Sequence, residues 1–255
     1  MDAVCLEDRF TEVRQRVADA ASRAGRRPQD VLLVAVTKYA EPDQIRELLH
    51  LGHRDLAENH VQQLIQRAAM IDEYLDRRRV LARTPGDEAP AVVPARWHLI
   101  GPLQRNKAKK AVEICRLIHT VDSLRIAEEL QEIGLKREQP IDVLIQVNCS
   151  GEASKAGCPT PAARHLAAQI DSMVYVRARG LMTMAPESDN PEDSRPIFAR
   201  CRELLEDIAT EGVGEGRFNI LSMGMTQDYE VAISEGANLV RIGSAIFGPR
   251  PVPAA

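Results

Sequence analysis

Val31-Leu32-Leu33-Val34-Ala35-Val36-Thr37-Lys38 is the stretch on which the fold turns. Its unbroken apolar run, rich in β-branched residues, reads as a buried strand. The strand delivers one amine, Lys38, to its carboxyl end. Lysine is costly to desolvate, and partial burial lowers its pKa. A neutral amine attacks aldehydes, so a lysine held this way can form a Schiff base. The competing reading is a lysine that marks where a strand meets water.

The elements on either side repeat this strand in regular alternation. Residues 5–24 show helical spacing, with Leu6, Phe10, Val13 and Val17 on one face. Pro42 opens a helix that closes near Gly52. Asp55–Glu58 follows as a strand, then a helix from Val61 to Leu75. Arg96–Ile100, Leu117–Val121, Ile141–Val147, Tyr175–Met182, Phe218–Leu221 and Asn238–Ile242 read as further strands. Helices are expected from Gln104 and over Ser123–Lys136, Thr160–Asp171, Pro191–Thr210 and Gln227–Glu235, with Ser123 as a cap. Strands alternating with helices imply right-handed crossovers and a parallel sheet. Eight such units in 255 residues predict an α/β protein, a single (β/α)8 TIM barrel spanning residues 1–255 with an extra N-terminal helix. A doubly wound open sheet is the alternative, but residues 37–43 lack its glycine-rich first turn. Residues 77–94 hold Arg77-Arg78-Arg79, Gly86 and three prolines, Pro85, Pro90 and Pro94, and read as a surface insertion or helix extension.

Composition narrows the function. The net charge of −4 and an aromatic content of 4% argue against a nucleic-acid partner. The five cysteines are odd in number and show no Cys-x-x-Cys spacing, so neither a zinc site nor a disulfide framework is expected. The amino terminus lacks a signal-peptide pattern, and no apolar stretch approaches the ~20 residues that span a bilayer. A cytoplasmic protein with no membrane or metal partner is the expectation. Gln104-Arg105-Asn106-Lys107-Ala108-Lys109-Lys110 reads as a solvated helix face.

In a parallel barrel the chemistry gathers at the carboxyl ends of the strands. Those positions bring Lys38, Glu58 and Asn59, His98, Asn148, Met182 and Thr183, Ser222-Met223-Gly224-Met225, and Arg241 with Gly243-Ser244. Ser222-Met223-Gly224-Met225-Thr226 and Arg241-Ile242-Gly243-Ser244 have the look of a phosphate cradle after the last two strands. Ordinary turn chemistry is the plainer alternative. Together, a strand-end amine and an anion cradle can grip one molecule with an aldehyde at one end and a phosphate at the other. Pyridoxal 5′-phosphate fits that description, and so does a sugar-phosphate imine. His98 either lines the pocket or hydrogen-bonds to backbone at the barrel top.

These segments resemble the YggS/PROSC family of pyridoxal-phosphate homeostasis proteins. The resemblance is carried by Leu33–Lys38, Asp55–Gln62, Trp97–Lys107, Val147–Gly157, Gly180–Ala185, Leu221–Asp228 and Val240–Gly248, in order from about residue 5 to 250. It implies a single-domain barrel similar to the N-terminal domain of bacterial alanine racemase. It also implies a cofactor, pyridoxal 5′-phosphate, held covalently by Lys38. Phosphate contacts would fall on Ser222, Met223, Gly243 and Ser244, and Arg241 would face the pyridine nitrogen. Asn59 and Met182 complete the expected cofactor-binding set. No residue is expected to be catalytic. The family is thought to buffer or deliver the cofactor and to affect amino-acid and keto-acid balance. Apo forms of pyridoxal-phosphate enzymes are the implied transient partners, and a monomer is expected. Ala57 departs from the family's glycine, which matters if that backbone needs a positive φ. Tyr39 and His60 are less usual neighbours of the pocket.

Two enzyme readings compete. A racemase-like enzyme needs acid–base groups on both faces of the cofactor, and Tyr39 is the one tyrosine near the expected pocket. An aldolase acting on sugar phosphates needs carboxylates converging on Lys38, for which Glu58 is the obvious candidate.

Overall fold

The apolar run forms the first strand, β1 (Leu32–Val36). Its side chains alternate with the period of two that strands impose. Leu33 and Ala35 join the apolar layer under the helices, while Val34 and Val36 join a separate cluster with Ala57, Leu117, Leu144, Met182 and Leu239 inside the sheet. The computed structural model describes residues 5–81, 93–152 and 155–249.

The remaining strands are β2 (Asp55–Glu58), β3 (Arg96–Leu99), β4 (Cys115–Val121), β5 (Ile141–Asn148), β6 (Cys158–Pro159), β7 (Val176–Met182), β8 (Ile220–Ser222) and β9 (Leu239–Ile242). The helices are α1 (Leu6–Arg23), α2 (Pro42–His50), α3 (Val61–Leu81), α4 (Arg105–Ile114), α5 (Leu124–Arg137), α6 (Thr160–Asp171), α7 (Arg195–Thr210), α8 (Tyr229–Ser234) and α9 (Ser244–Phe247). All pairings are parallel, in the order β4-β3-β2-β1-β9-β8-β7-β5, and β4 also pairs β5. Eight strands thus close into a barrel. β9 meets β1 with Leu32 opposite Leu239 and Val34 opposite Arg241, which joins the two ends of the chain. The two-residue β6 pairs only with the end of β5 and takes no part in the barrel wall.

α1 is the extra outer element. Its buried face of Leu6, Phe10, Val13 and Val17 packs on the barrel. Arg9 Nε donates to Ile246 O at 2.8 Å, and Arg26 Nη1 donates to Ala237 O at 2.7 Å. Arg16 pairs with Glu230 on α8 at 2.6 Å.

Several boundaries differ from the sequence reading, each for a local reason. α3 continues past Leu75 because ion pairs replace the apolar repeat there: Arg77 with Glu73 at 2.6 Å and Arg79 with Asp76 at 2.7 Å. The first five residues of the 77–94 stretch are thus the helix extension the sequence allowed, and residues 82–92 lie outside the described residues. α7 starts at Arg195, because Pro196 has no N–H to extend the preceding 3-10 turn, Pro191–Ser194. Ser123 sits at the α5 N-cap in extended geometry, but its side chain makes no capping bond. Ala57 does not have a positive φ; among the described residues only Glu138 and Glu215 do so without being glycine. Where β2 and β3 leave the barrel, a Cβ on Gly101 would stand 1.8 Å from Asn59 O, so only glycine fits.

Candidate functional site

Lys38 follows Val34 and Val36 at the spacing that turns its position toward the barrel interior. β1 ends at Val36, however, and a turn carries Lys38 out to an exposed position. The partial burial expected from the sequence is absent because the chain turns away directly after Val36, where the sequence also ends the strand. Nζ lies 5.2 Å from the centroid of the Tyr39 ring.

The turn itself is clamped from behind. Ala40 N donates to Thr37 O at 2.9 Å. Thr37 Oγ1 donates to Glu58 Oε1 at 2.5 Å. Arg67, on α3, reaches Glu58 Oε1 with Nε at 2.9 Å and donates from Nη1 to Ala40 O at 2.8 Å. Both ends of the turn carrying Lys38 are thus tied to one buried carboxylate–guanidinium pair. Burial lifts the Glu58 carboxyl above its usual range against the opposing pull of Thr37 and Arg67. Its Oε2 has no partner among the described residues.

The loops after β8 and β9 lie next to this turn. A Cβ on Gly243 would stand 3.2 Å from Val36 O, so the last loop runs directly beside the root of Lys38. Ser244 Oγ donates to Thr226 Oγ1 at 3.2 Å and joins the two loops. Asp228 holds the β8 loop in shape by accepting from Met225 N at 2.6 Å. Gly224, at φ +95, lets the chain turn against α8. Among the described residues, the N–H groups of Gly224, Thr226 and Gly243 donate to no acceptor within the chain. Unpaired loop N–H groups, glycines and two hydroxyls make a concavity suited to an anion.

Below the mouth the barrel carries polar side chains where apolar ones would ordinarily fill it. Arg241, buried on β9, donates from Nη1 to Ser222 Oγ at 2.6 Å and from Nη2 to Thr183 O at 3.0 Å. Burial draws its guanidinium down to about 10, which leaves it charged at neutral pH. Ser222 Oγ also lies 3.0 Å from His119 Nδ1. His119 Nε2 lies 2.9 Å from His98 Nδ1, and His98 Nε2 lies 3.2 Å from Asp55 Oδ1. Arg96 closes the far end on Asp55. His98 therefore bonds to side chains inside the barrel, neither lining the mouth nor meeting backbone as the sequence reading allowed.

The eight expected cofactor-binding residues fall as follows. Lys38, Gly243 and Ser244 meet at the mouth. Asn59 follows β2 there, with a buried Oδ1 that has no partner among the described residues. Met182 is buried in the interior cluster, whereas the Met223 side chain is buried in the outer layer. Arg241 and Ser222 lie just below the mouth, and the Ser222 hydroxyl is turned inward to Arg241 and His119. Asp55, His119, Thr37 and Arg67 escaped the sequence reading. A histidine alone in the apolar strand Leu117-Ile118-His119-Thr120-Val121 was the available signal for one of them. The basic residues of α4 are surface groups, with Arg105 on Glu129 and Lys110 on Glu113, each at 2.9 Å. Among the described residues no group of three His, Cys, Asp or Glu is placed to hold a metal ion. No described helix is long and apolar enough to cross a membrane.

A closed parallel barrel with an outer N-terminal helix and a strand-end lysine beside an anion-suited loop pair defines a class. The family model described as "Alanine racemase, N-terminal domain" matches residues 11–251. Alanine racemase of Clostridium difficile shares the fold, with a TM-score of 0.69 at 14% identity over 97% of this chain and 57% of its own. Nearer relatives narrow the class. The pyridoxal phosphate homeostasis protein of Pseudomonas aeruginosa is 37% identical over 245 residues, covering 96% of each chain. That of Aquifex aeolicus is 35% identical over 247 residues, covering 95% of this chain and 97% of its own. PipY of Synechococcus elongatus, solved with pyridoxal phosphate bound, has a TM-score of 0.75 and 31% identity over 92% of this chain and all of its own. This chain belongs to the pyridoxal phosphate homeostasis protein family.

Proposed function

We propose that this protein holds pyridoxal 5′-phosphate as a Schiff base on Lys38 and serves intracellular homeostasis of that cofactor, with effects on amino-acid and keto-acid balance. The observation that carries the reading is the adjacency of the Lys38 turn and the Gly243-Ser244 loop across the β1–β9 pair. The unpaired N–H groups of Gly224, Thr226 and Gly243 suit a phosphate, together with the Ser244 and Thr226 hydroxyls. Met223 and Ser222 open the turn that supplies part of this cradle. Arg241 is charged and buried just below the mouth, where it would face the ring nitrogen; a guanidinium facing that atom would disfavour its protonation and leave the ring a poorer electron sink. Asn59 and Met182 complete the walls.

The protein acts as a holder and not as a racemase. Racemisation needs acid–base groups on both faces of the substrate carbon. Glu58 and Arg67 are committed to each other behind β1, which leaves Tyr39 as the ionisable side chain beside Lys38. Residues 1–255 act as one cofactor-binding domain, and the family match over 11–251 supports this. The domain works as a monomer in the cytoplasm and hands the cofactor transiently to apo-enzymes. Its exposed large apolar residues are scattered, among them Leu32, Leu135 and Val174, which supports a monomer.

Borohydride reduction of the protein loaded with pyridoxal phosphate, followed by peptide mapping, tests the reading. The modified peptide is expected to contain Lys38, and Lys38→Ala is expected to abolish the chromophore. A modified peptide without Lys38 refutes the assignment. Rapid exchange of amino-acid Cα protons in deuterated water would refute the holder in favour of the racemase.

A further inference from the structure

The polar side chains crossing the barrel interior leave no freedom in where their protons lie. Asp55 is the fixed point. Burial alone would raise its carboxyl, but the bonds from His98 and Arg96 outweigh it and hold the group below its usual range. An ionised carboxylate only accepts, so His98 Nε2, at 3.2 Å from Oδ1, carries the proton. Burial keeps His98 neutral, which leaves its Nδ1 bare. His119 Nε2, at 2.9 Å, must then donate to that nitrogen. His119 is likewise held neutral by burial, so its Nδ1 is bare and accepts from the hydroxyl of Ser222 at 3.0 Å. Ser222 Oγ in turn accepts from Arg241 at 2.6 Å. Every bond points the same way, from the cation on β9 to the anion on β2.

We infer that Asp55, His98 and His119 are positioning residues that hold Arg241 in one orientation and withdraw the Ser222 hydroxyl proton from the mouth. The inference rests on the reading of the site above, with Arg241 at the ring nitrogen. Two consequences follow from the geometry. Arg241 has one donor fixed by Thr183 O and one by Ser222, so its free edge is presented in a single direction. Ser222, its proton given to His119, has none to offer a phosphate, so the cradle depends on loop N–H groups and on Ser244 and Thr226. The chain spans the interior from β8 to β4, strands that are not neighbours in the wall. Loss of its middle member strands polar groups on both sides.

The test has two arms. In the ligand-free protein, 15N–1H spectra of the histidine rings are expected to show His98 and His119 as the Nε2–H tautomer. An Nδ1–H tautomer or a charged ring at either position overturns the inference without any cofactor present. In the second arm, pyridoxal phosphate is titrated into three proteins and read by absorbance. His119→Phe is expected to bind about tenfold more weakly, the worth of one neutral hydrogen bond that no longer fixes Ser222 and, through it, Arg241, with a shifted band. Asp55→Asn, which keeps an acceptor for His98 Nε2 but not the charge that fixes its tautomer, is expected to weaken binding about threefold, less than His119→Phe; wild-type affinity with an unshifted band removes Asp55 from the positioning set. His119→Phe that binds like wild type, with an unshifted band, overturns the positioning role and leaves the cofactor reading standing. A wild-type protein that forms no chromophore overturns the cofactor reading and this role with it; tautomers as assigned in the first arm then show the fault to lie in the ligand.

Discussion

Arg67→Ala is the sharpest probe of the brace behind Lys38. The substitution removes the guanidinium 2.9 Å from Glu58 Oε1 and the bond to Ala40 O. Glu58 is fully buried, and among the described residues the carboxylate left behind keeps the Thr37 hydroxyl and the adjacent Asn59 backbone but no cation bonded to it. Stranding a buried charge costs about 3–5 kcal/mol. Protonation sets a ceiling on that cost. Holding a carboxyl of ordinary pKa ~4.3 in its neutral form costs roughly 3.7 kcal/mol at pH 7 and roughly 1 kcal/mol at pH 5. The lost bond to Ala40 O adds about 1 kcal/mol at either pH. A destabilisation of up to about 5 kcal/mol at pH 7, shrinking toward about 2 kcal/mol at pH 5, is therefore expected. For a chain of this size the pH 7 value corresponds to a fall of about 10–20 °C in Tm. The direction follows from linkage. Folding raises the Glu58 pKa, so the stability tied to its proton is full below its unfolded pKa and is lost as pH rises through the folded one. Urea denaturation of wild type, Arg67→Ala and Glu58→Gln/Arg67→Ala at both pH values reads this out. The double variant should recover most of the pH 7 loss and lose the pH dependence. Equal destabilisation at pH 5 and pH 7, or no rescue by glutamine, would refute the account of the brace.

Gly101→Ala is expected to lose about 3 kcal/mol or more, because its Cβ meets the backbone oxygen of Asn59 at 1.8 Å and no side chain can yield. Gly25→Ala, at φ +69 with nothing within 4 Å, should cost only about 1–2 kcal/mol; similar melting temperatures for the two would contradict the close approach. Of the free cysteines, Cys5 is exposed while Cys149, Cys158 and Cys201 are buried. Burial also pushes Cys115 up to about 12 and Cys158 up to about 11. Ellman's reagent should accordingly find one fast thiol in the native protein and all five in denaturant, and a second fast thiol would contradict the packing.

The parts of this molecule legible in its sequence are those whose physics is local. Val31–Val36 announces a buried strand by composition, and Pro42 and the glycine at 52 bracket α2 by backbone chemistry. The position of Lys38 at the end of the apolar run and the Gly and Ser after the last two strands pointed to those loops, and the β1–β9 register sets the turn carrying Lys38 beside Gly243. What stayed hidden depends on chain segments far apart. Arg67 and Glu58 meet only because α3 lies back against β2 and β3. Asp55, His98, His119 and Ser222 read singly as polar residues in strands; only closure of the barrel makes them a series. The turn from Thr37 to Ala40 was likewise unreadable, since no Gly, Pro or Asn marks it and it shows only where Ala40 N folds back on Thr37 O.

The seam between β1 and β9 has a consequence for how the protein is made. Lys38 leaves the ribosome about two hundred residues before its neighbour Gly243. Until β9 is synthesised and paired, β1 and β8 each present an open edge, and the amine has no anion cradle beside it. Contacts this distant in sequence form late and slowly. A nascent chain therefore has a lysine but no receptacle, and only the finished molecule can be charged with its ligand.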